Sequence, residues 1–360
     1  MPKLNHEIFR RRAEVPAWVK PALVAALLAV AVAAVWLNWD ALTKTDAERY
    51  QEAYDAGRLD EALEVALRIA AEDPDSARAQ LGVAAVYLQR ALRGDVAAVA
   101  AARAAAARAA EIDPNDPDAS RTLGYTYELE GDYDSAIEYY ERAIAAAPRD
   151  ALALTQLGSA YAATGRSDLA ERQYELAIRA DSYVPEPRLL LAQARLARGD
   201  DGYSAIEAIL EPALGAQNVA LAADARATVS RIRLAQGKGE AAEALAREAV
   251  ETAPESFSAL TALAEALYDG VFSRGLPWSE TLKEVHSLAQ RAATADPTRA
   301  MAPFLAFRAT SAVGDKTAAA TYADRTLRLL EGDRTLSDAQ RDEIRAQIEF
   351  VRGVKVKVKN

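Results

Sequence analysis

Leu123-Gly124 recurs 34 residues downstream as Leu157-Gly158. At the same offset Tyr127 maps to Tyr161, Gly131 to Gly165, Ala136 to Ala170, Tyr140 to Tyr174 and Ala143 to Ala177. A fixed period of this length with helical spacing inside it restricts the chain to stacked two-helix units, because one such unit cannot bury its apolar face alone. Each repeated residue has a packing reason. Gly124 and Gly158 let the partner helix approach, and Tyr127 and Tyr161 fill the space between helices. Gly131 and Gly165 suit the left-handed turn that ends a helix. Asp134 and Asp168 are expected to cap the second helix. Tyr140 and Tyr174 are expected to pack against the next unit, and Pro148 to stop the second helix.

Helical units of 34 residues with these glycine, alanine and tyrosine positions resemble the tetratricopeptide repeat family. The pattern fades in both directions but persists. Upstream it supplies Gly57, Ala62 and Pro74, then Leu81-Gly82 and Pro114 around an alanine-rich run that reads as an extended helix. Downstream it supplies Leu191-Ala192, Gly237 with Ala242, and Leu263-Ala264 with Pro297. About eight helical hairpins are expected over residues 43–330, followed by an amphipathic capping helix over 337–352 and a flexible tail over 353–360.

The first forty residues differ in kind. No charge lies between Lys20 and Asp40, and Pro21 to Leu37 is apolar throughout. At about 1.5 Å per residue that run makes about 26 Å of helix, close to the roughly 30 Å of a bilayer's hydrocarbon core. Trp18, Trp36 and Trp39 flank it as interfacial belts would. The run is longer than the usual core of a cleaved signal peptide, and its small-residue Ala29/Ala31 pattern falls inside it. The reading is an uncleaved transmembrane helix over 21–39, preceded by a basic cytoplasmic segment over 1–20. Lys3, Arg10, Arg11, Arg12 and Lys20 precede the span, so the positive-inside rule places the remainder outside the cytoplasm. The fold class expected is therefore all-α, a right-handed superhelical solenoid of helix-turn-helix repeats behind a single-pass anchor. The membrane is one expected partner, through that helix.

Reactive groups are sparse. The chain has no cysteine, and its two histidines, His6 and His286, fall on opposite sides of the expected membrane. No H-E-x-x-H, phosphate-binding loop or dinucleotide motif occurs. Asp113 to Asp118, "DPNDPD", lacks the glycine and the twelfth-position glutamate of a calcium loop and reads as an inter-repeat turn. A net charge of −10 argues against broad binding to nucleic-acid phosphates. The expectation is a non-enzymatic chain with no catalytic residue, cofactor or metal.

What remains is surface. The family resemblance places Arg121, Tyr125 and Glu128 on the concave groove of the third unit. The neighbouring units contribute Gln156 and Ser159, then Glu186, Leu189 and Gln193, then Arg231. Some members of the family grip C-terminal carboxylates with lysines and an asparagine on these faces. Here those places hold Thr155, Ser159, Leu189 and Gln193, so that clamp is not expected. The other candidate is an insertion from Tyr268 to Leu282, where Phe272, Leu276 and Trp278 sit among Gly270, Gly275 and Pro277. Tryptophan on a loop is a common interface anchor; alternatively the three tuck back onto the neighbouring unit. The function expected is a membrane-anchored scaffold for protein partners in envelope assembly or secreted-protein maturation. The alternatives are a self-associating structural array and an adaptor facing the cytoplasm.

Overall fold

A computed structural model of the chain describes residues 44–333 and 335–353. The expected basic segment, the membrane helix over 21–39, His6 and the tail from residue 354 lie outside the described residues. Among the described residues no helix is long and apolar enough to cross a membrane.

Seventeen helices and no strand make up the described residues, and the first sixteen form eight consecutive antiparallel pairs. The first two pairs are α1 (Asp46–Asp55) with α2 (Leu59–Glu72) and α3 (Ala77–Leu92) with α4 (Ala97–Ile112). The next two are α5 (Pro117–Leu129) with α6 (Tyr133–Ala146) and α7 (Ala151–Ala163) with α8 (Ser167–Ala180). Then come α9 (Glu186–Arg198) with α10 (Tyr203–Leu214) and α11 (Val219–Ala235) with α12 (Gly239–Thr252). The last pairs are α13 (Phe257–Ser273) with α14 (Trp278–Ala295) and α15 (Met301–Ala312) with α16 (Lys316–Leu330). A final helix, α17 (Asp338–Val351), buries Ile344 and Ile348 in a cluster with Ala323 and Leu330 of the last hairpin.

The two kinds of turn are built differently. First helices start on short polar caps: Ser76, Asp116, Asp150, Asn218 and Ser256 each accept a hydrogen bond from the backbone of the first turn. Second helices follow a tight turn in which Gly131 (φ 79°) and Gly165 (φ 75°) take the left-handed conformation open to glycine. Asp134 and Asp168 do not cap, contrary to the sequence-based expectation. The cap of α6 is Asp132, two residues earlier, and α8 begins after Arg166 with no side-chain cap. Both aspartates sit in the first turn of their helices and hold an arginine of the next hairpin instead: Arg166 lies 3.0 Å from Asp134 and Arg198 lies 3.6 Å from Asp168.

Tyr140 shares a buried cluster with Leu157 and Ala160 of the next unit, as expected, and it also closes on its own hairpin. A Cβ added at Gly124 would lie 2.7 Å from the Tyr140 ring, and one at Gly158 would lie 2.5 Å from the Tyr174 ring. Each tyrosine therefore lies across the glycine of its own hairpin, where it is fully or almost fully buried. The glycine is required by that ring rather than by its turn.

From α3 to α15 consecutive first helices touch one another, whereas second helices pack against the first helices on either side. The first-helix layer is therefore the continuous one, as expected for the inner, concave side of a curved array. Buried side chains fall into five clusters along the chain instead of one central core.

Candidate functional site

On the inner layer, α5 carries Arg121, Tyr125 and Glu128 at positions one and two turns apart, and all three are half-buried. Arg121 is held in place by ion pairs to Asp118 and to Asp150, the latter at 3.5 Å. Glu128 accepts a hydrogen bond of 2.5 Å from the Tyr140 hydroxyl, which reaches it across the hairpin. Burial pushes the Glu128 carboxyl above the usual carboxylate range; the Tyr140 hydrogen bond opposes this, and the charge of Glu186 adds to it. Burial likewise raises the Tyr125 phenol, helped by Glu128 and Glu186. Burial also raises the Tyr140 and Tyr174 phenols, and the charge of Glu128 adds to both.

The other groove candidates are less concentrated. Gln156 on α7 is half-buried, and its Oε1 has no hydrogen-bond partner. Ser159 receives the Tyr174 hydroxyl at 3.5 Å. On α9, Leu189 is buried in a hydrophobic cluster and Gln193 donates to the Thr228 hydroxyl at 3.4 Å. Arg231 on α11 is occupied by α13: it pairs with Glu265 at 2.9 Å and donates to the Thr261 hydroxyl at 2.7 Å and to Ser258. That side chain joins two hairpins and is not offered to a partner.

The expected insertion loop is mostly helix. Its extra residues lengthen α13 to 17 residues and α14 to 18, against 13 and 14 for α7 and α8, leaving only 274–277 as connection. Trp278 is the first residue of α14, not a loop residue. Phe272 and Trp278 meet edge to face at 5.3 Å, and Tyr268 packs on Phe272 at 5.1 Å beneath the Arg308 guanidinium. Phe272 and Trp278 stay half exposed, while Leu276 tucks against the core of the seventh hairpin. This aromatic patch lies on different hairpins from the Tyr125–Glu128 patch, so the two are separate surfaces.

The role of Tyr140 as the partner of Glu128 was missed from the sequence. Twelve residues separate the two, and Tyr140 belongs to the repeated packing code, which conceals any further task. One signal was available: the residue 34 positions after Glu128 is Ala162, so only the third unit places a carboxylate under its repeat tyrosine. His286, the histidine among the described residues, has its Nε2 2.9 Å from the Tyr322 hydroxyl and ties the last two hairpins together. Among the described residues no group of three or more histidines or carboxylates could hold a metal ion.

Comparison with known proteins supports the repeat reading. The family model described as tetratricopeptide repeat matches residues 93–151, 121–185 and 230–271. The crystal structure of the APC/C hetero-tetramer Cut9-Hcn1 is similar over 72% of this chain at 18% identity with a TM-score of 0.57. This chain spans 48% of that one, so the likeness concerns the fold. Yeast Tom70 matches over 83% of this chain and 60% of its own, with 16% identity and a TM-score of 0.46. The type IV pilus biogenesis factor PilW matches over 62% of this chain and 97% of its own, with 17% identity and a TM-score of 0.46. No curated protein matches. Over residues 93–185 and 230–271 the chain thus matches the tetratricopeptide-repeat model, within an all-helical array of paired helices.

Proposed function

We propose that this chain is a protein-interaction scaffold whose inner face, from α5 to α9, binds a segment of a partner protein. The observation that carries the reading is the continuous first-helix layer bearing polar groups that the chain leaves without a hydrogen-bond partner, Gln156 Oε1 and Arg188 Nε among them. Buried polar atoms without partners cost stability, and a bound segment would supply the missing hydrogen bonds. In this reading the apolar run over 21–39 anchors the scaffold as a single span with the array outside the cytoplasm, where it serves envelope assembly or secreted-protein maturation. The apolar length and the arginine and lysine excess before it support that part.

Photo-crosslinking in cells tests the binding face. A photoreactive residue in place of Tyr125 is expected to capture a protein, while one in place of the exposed Glu138 on α6 is expected to capture none. Equal capture at both, or none at either, overturns the groove as the binding face. Trp278 serves as a third position and reports whether the aromatic patch binds as well. Protease added to intact spheroplasts should digest the array; protection would reverse the topology.

A further inference from the structure

Further along the inner layer, the chain leaves one cation without a carboxylate. Arg308 on α15 lies as far before Gly314 as Tyr125 lies before Gly131, and Tyr268 on α13 lies as far after Leu263 as Glu128 lies after Leu123. The repeat register therefore sets both on the groove side of their first helices. The Arg308 guanidinium sits 3.9 Å from the centre of the Tyr268 ring and 5.7 Å from that of Phe304. Among the described residues it makes no hydrogen bond and no ion pair. α15 has no carboxylate, and the two of α13 are engaged elsewhere: Glu265 pairs with Arg231 at 2.9 Å and Asp269 accepts the Ser273 hydroxyl at 2.8 Å. Arg121 and Arg231, the groove arginines already described, are each held by carboxylates, so Arg308 stands apart from them.

Stacking leaves the edge of that guanidinium available. The rings exclude water from its faces and fix its plane, while its N–H donors lie in the plane and point past them. A carboxylate at that edge meets parallel donors on a charge already partly desolvated. From Tyr268 the row continues into apolar surface. The Phe272 ring centre is 5.1 Å from that of Tyr268, and Trp278 follows at 5.3 Å; these last two rings stay half exposed. Arginine and packed aromatic rings are the residue types that anchor protein interfaces. Residues two or four apart on an extended chain point the same way and lie roughly 7–14 Å apart, the scale of this row.

We propose that the row from Arg308 through Tyr268 and Phe272 to Trp278 docks an extended segment of a partner protein. An aspartate or glutamate side chain of the segment pairs with Arg308, and a bulky apolar side chain two or four residues away lies on Phe272 and Trp278. Charge complementarity selects this occupant: a glutamine in place of the acid forfeits the charge-assisted pair, and a lysine is repelled. A membrane surface is disfavoured, because Arg308 and Tyr268 lie on the inner side of a curved array. The site adds a second stretch to the inner binding face and uses none of the residues between α5 and α9.

The test uses the full-length protein and ten-residue peptides blocked at both ends, randomised except for a fixed pair four residues apart: glutamate, glutamine or lysine with phenylalanine, or glutamate with serine. Wild-type protein is expected to retain the glutamate–phenylalanine peptides most. Arg308→Gln should lower the preference for glutamate over glutamine by about tenfold. The Phe272→Ala, Trp278→Ala double variant should weaken binding of every phenylalanine peptide and keep the preference for glutamate. Circular dichroism and thermal unfolding of each variant check that the array is intact. Equal retention of glutamate, glutamine and lysine peptides, or a glutamate preference that survives Arg308→Gln in folded protein, overturns the site. Binding confined to peptides with a free C-terminal carboxylate overturns it as well. In protein reconstituted into phosphatidylglycerol vesicles, a photoreactive residue in place of Phe272 should label added peptide; labelling of lipid instead overturns a protein partner. Capture at Tyr125 reports separately on the stretch from α5 to α9, so the two readings fail independently.

Discussion

Gly124 shows how a single position can set two opposing effects against each other. Alanine is favoured over glycine inside a helix by about 1 kcal/mol. At Gly124, however, the added methyl would meet the Tyr140 ring at 2.7 Å and the Ala136 carbonyl oxygen at 3.2 Å, and Tyr140 is fully buried with nowhere to move. Overpacking of this kind costs about 1–3 kcal/mol, so Gly124→Ala is expected to destabilise the protein on balance in urea unfolding. Glu128 presents a different conflict. Its carboxyl is raised chiefly by burial, so the fold favours the neutral form. A group raised in this way contributes stability below its unfolded value, and that contribution disappears as pH climbs through the folded one. Glu128→Gln keeps an oxygen for the Tyr140 hydroxyl and removes the titration. The variant's advantage in Tm over the parent should therefore be small near about pH 4 and grow toward neutrality. An advantage that shrinks with pH would mean the carboxylate is stabilised by the fold. At this scale the packing glycines were legible, because repetition marks them. The Tyr140–Glu128 bond was not, because it joins different helices and occurs in one unit.

Between elements, the joints from the first hairpin to the seventh are each bridged by an arginine–carboxylate pair. Arg90 of α3 meets Asp60 of α2, Arg166 meets Asp134, and Arg198 meets Asp168 and Glu171. Further on, Arg233 of α11 meets Glu207 of α10 and Arg274 meets Glu243 of α12. In these cases the arginine lies at or just past the end of a first helix, or in its last turn, and the carboxylate near the start of the preceding second helix. Those are the ends where helix dipoles favour each charge. The joint between the second and third hairpins reverses the signs: Arg103 comes from the second helix and Glu130 from the end of the first. Burial decides which rungs matter. Arg274 and Glu243 are both about four-fifths buried, and although burial works against the Glu243 charge, hydrogen bonds from Arg274 and Arg247 hold its carboxyl below the usual range. Arg274→Ala should cost about 1.5–3 kcal/mol in urea unfolding, the range for hydrogen bonds to charged groups. Arg90→Ala, whose partner Asp60 is almost fully exposed, should cost less than about 1 kcal/mol. Equal losses would contradict that ordering. The sequence marked Asp134 and Asp168 as important but assigned them to capping, since only the next hairpin reveals their partners. The lengthened seventh hairpin was misread because glycine and proline around Leu276 punctuate like a loop, yet four residues suffice to turn the chain.

Across the whole molecule, the period foretold stacked helical pairs, while the placement of charges along the inner face needed coordinates. One consequence follows from first helices touching along the array while second helices meet one another through long side chains, Arg247 to Glu284 and His286 to Tyr322 among them. Such a body behaves like a strip hinged along one edge: sliding the hinged edge is resisted by packed backbone, whereas opening or closing the other edge is resisted chiefly by those side-chain bridges. Its curvature is then a soft coordinate that anything lodged against the hinged edge will set. Fluorophores placed near Asp55 and near Phe350 would read this as distance. The spread of distances should narrow when a partner segment captured at Tyr125 is bound, and an unchanged spread would show that the array is already stiff. If it narrows, grip on a partner at the third and fifth hairpins is also grip on the spacing between the two ends, and cargo recognition becomes a way of setting length.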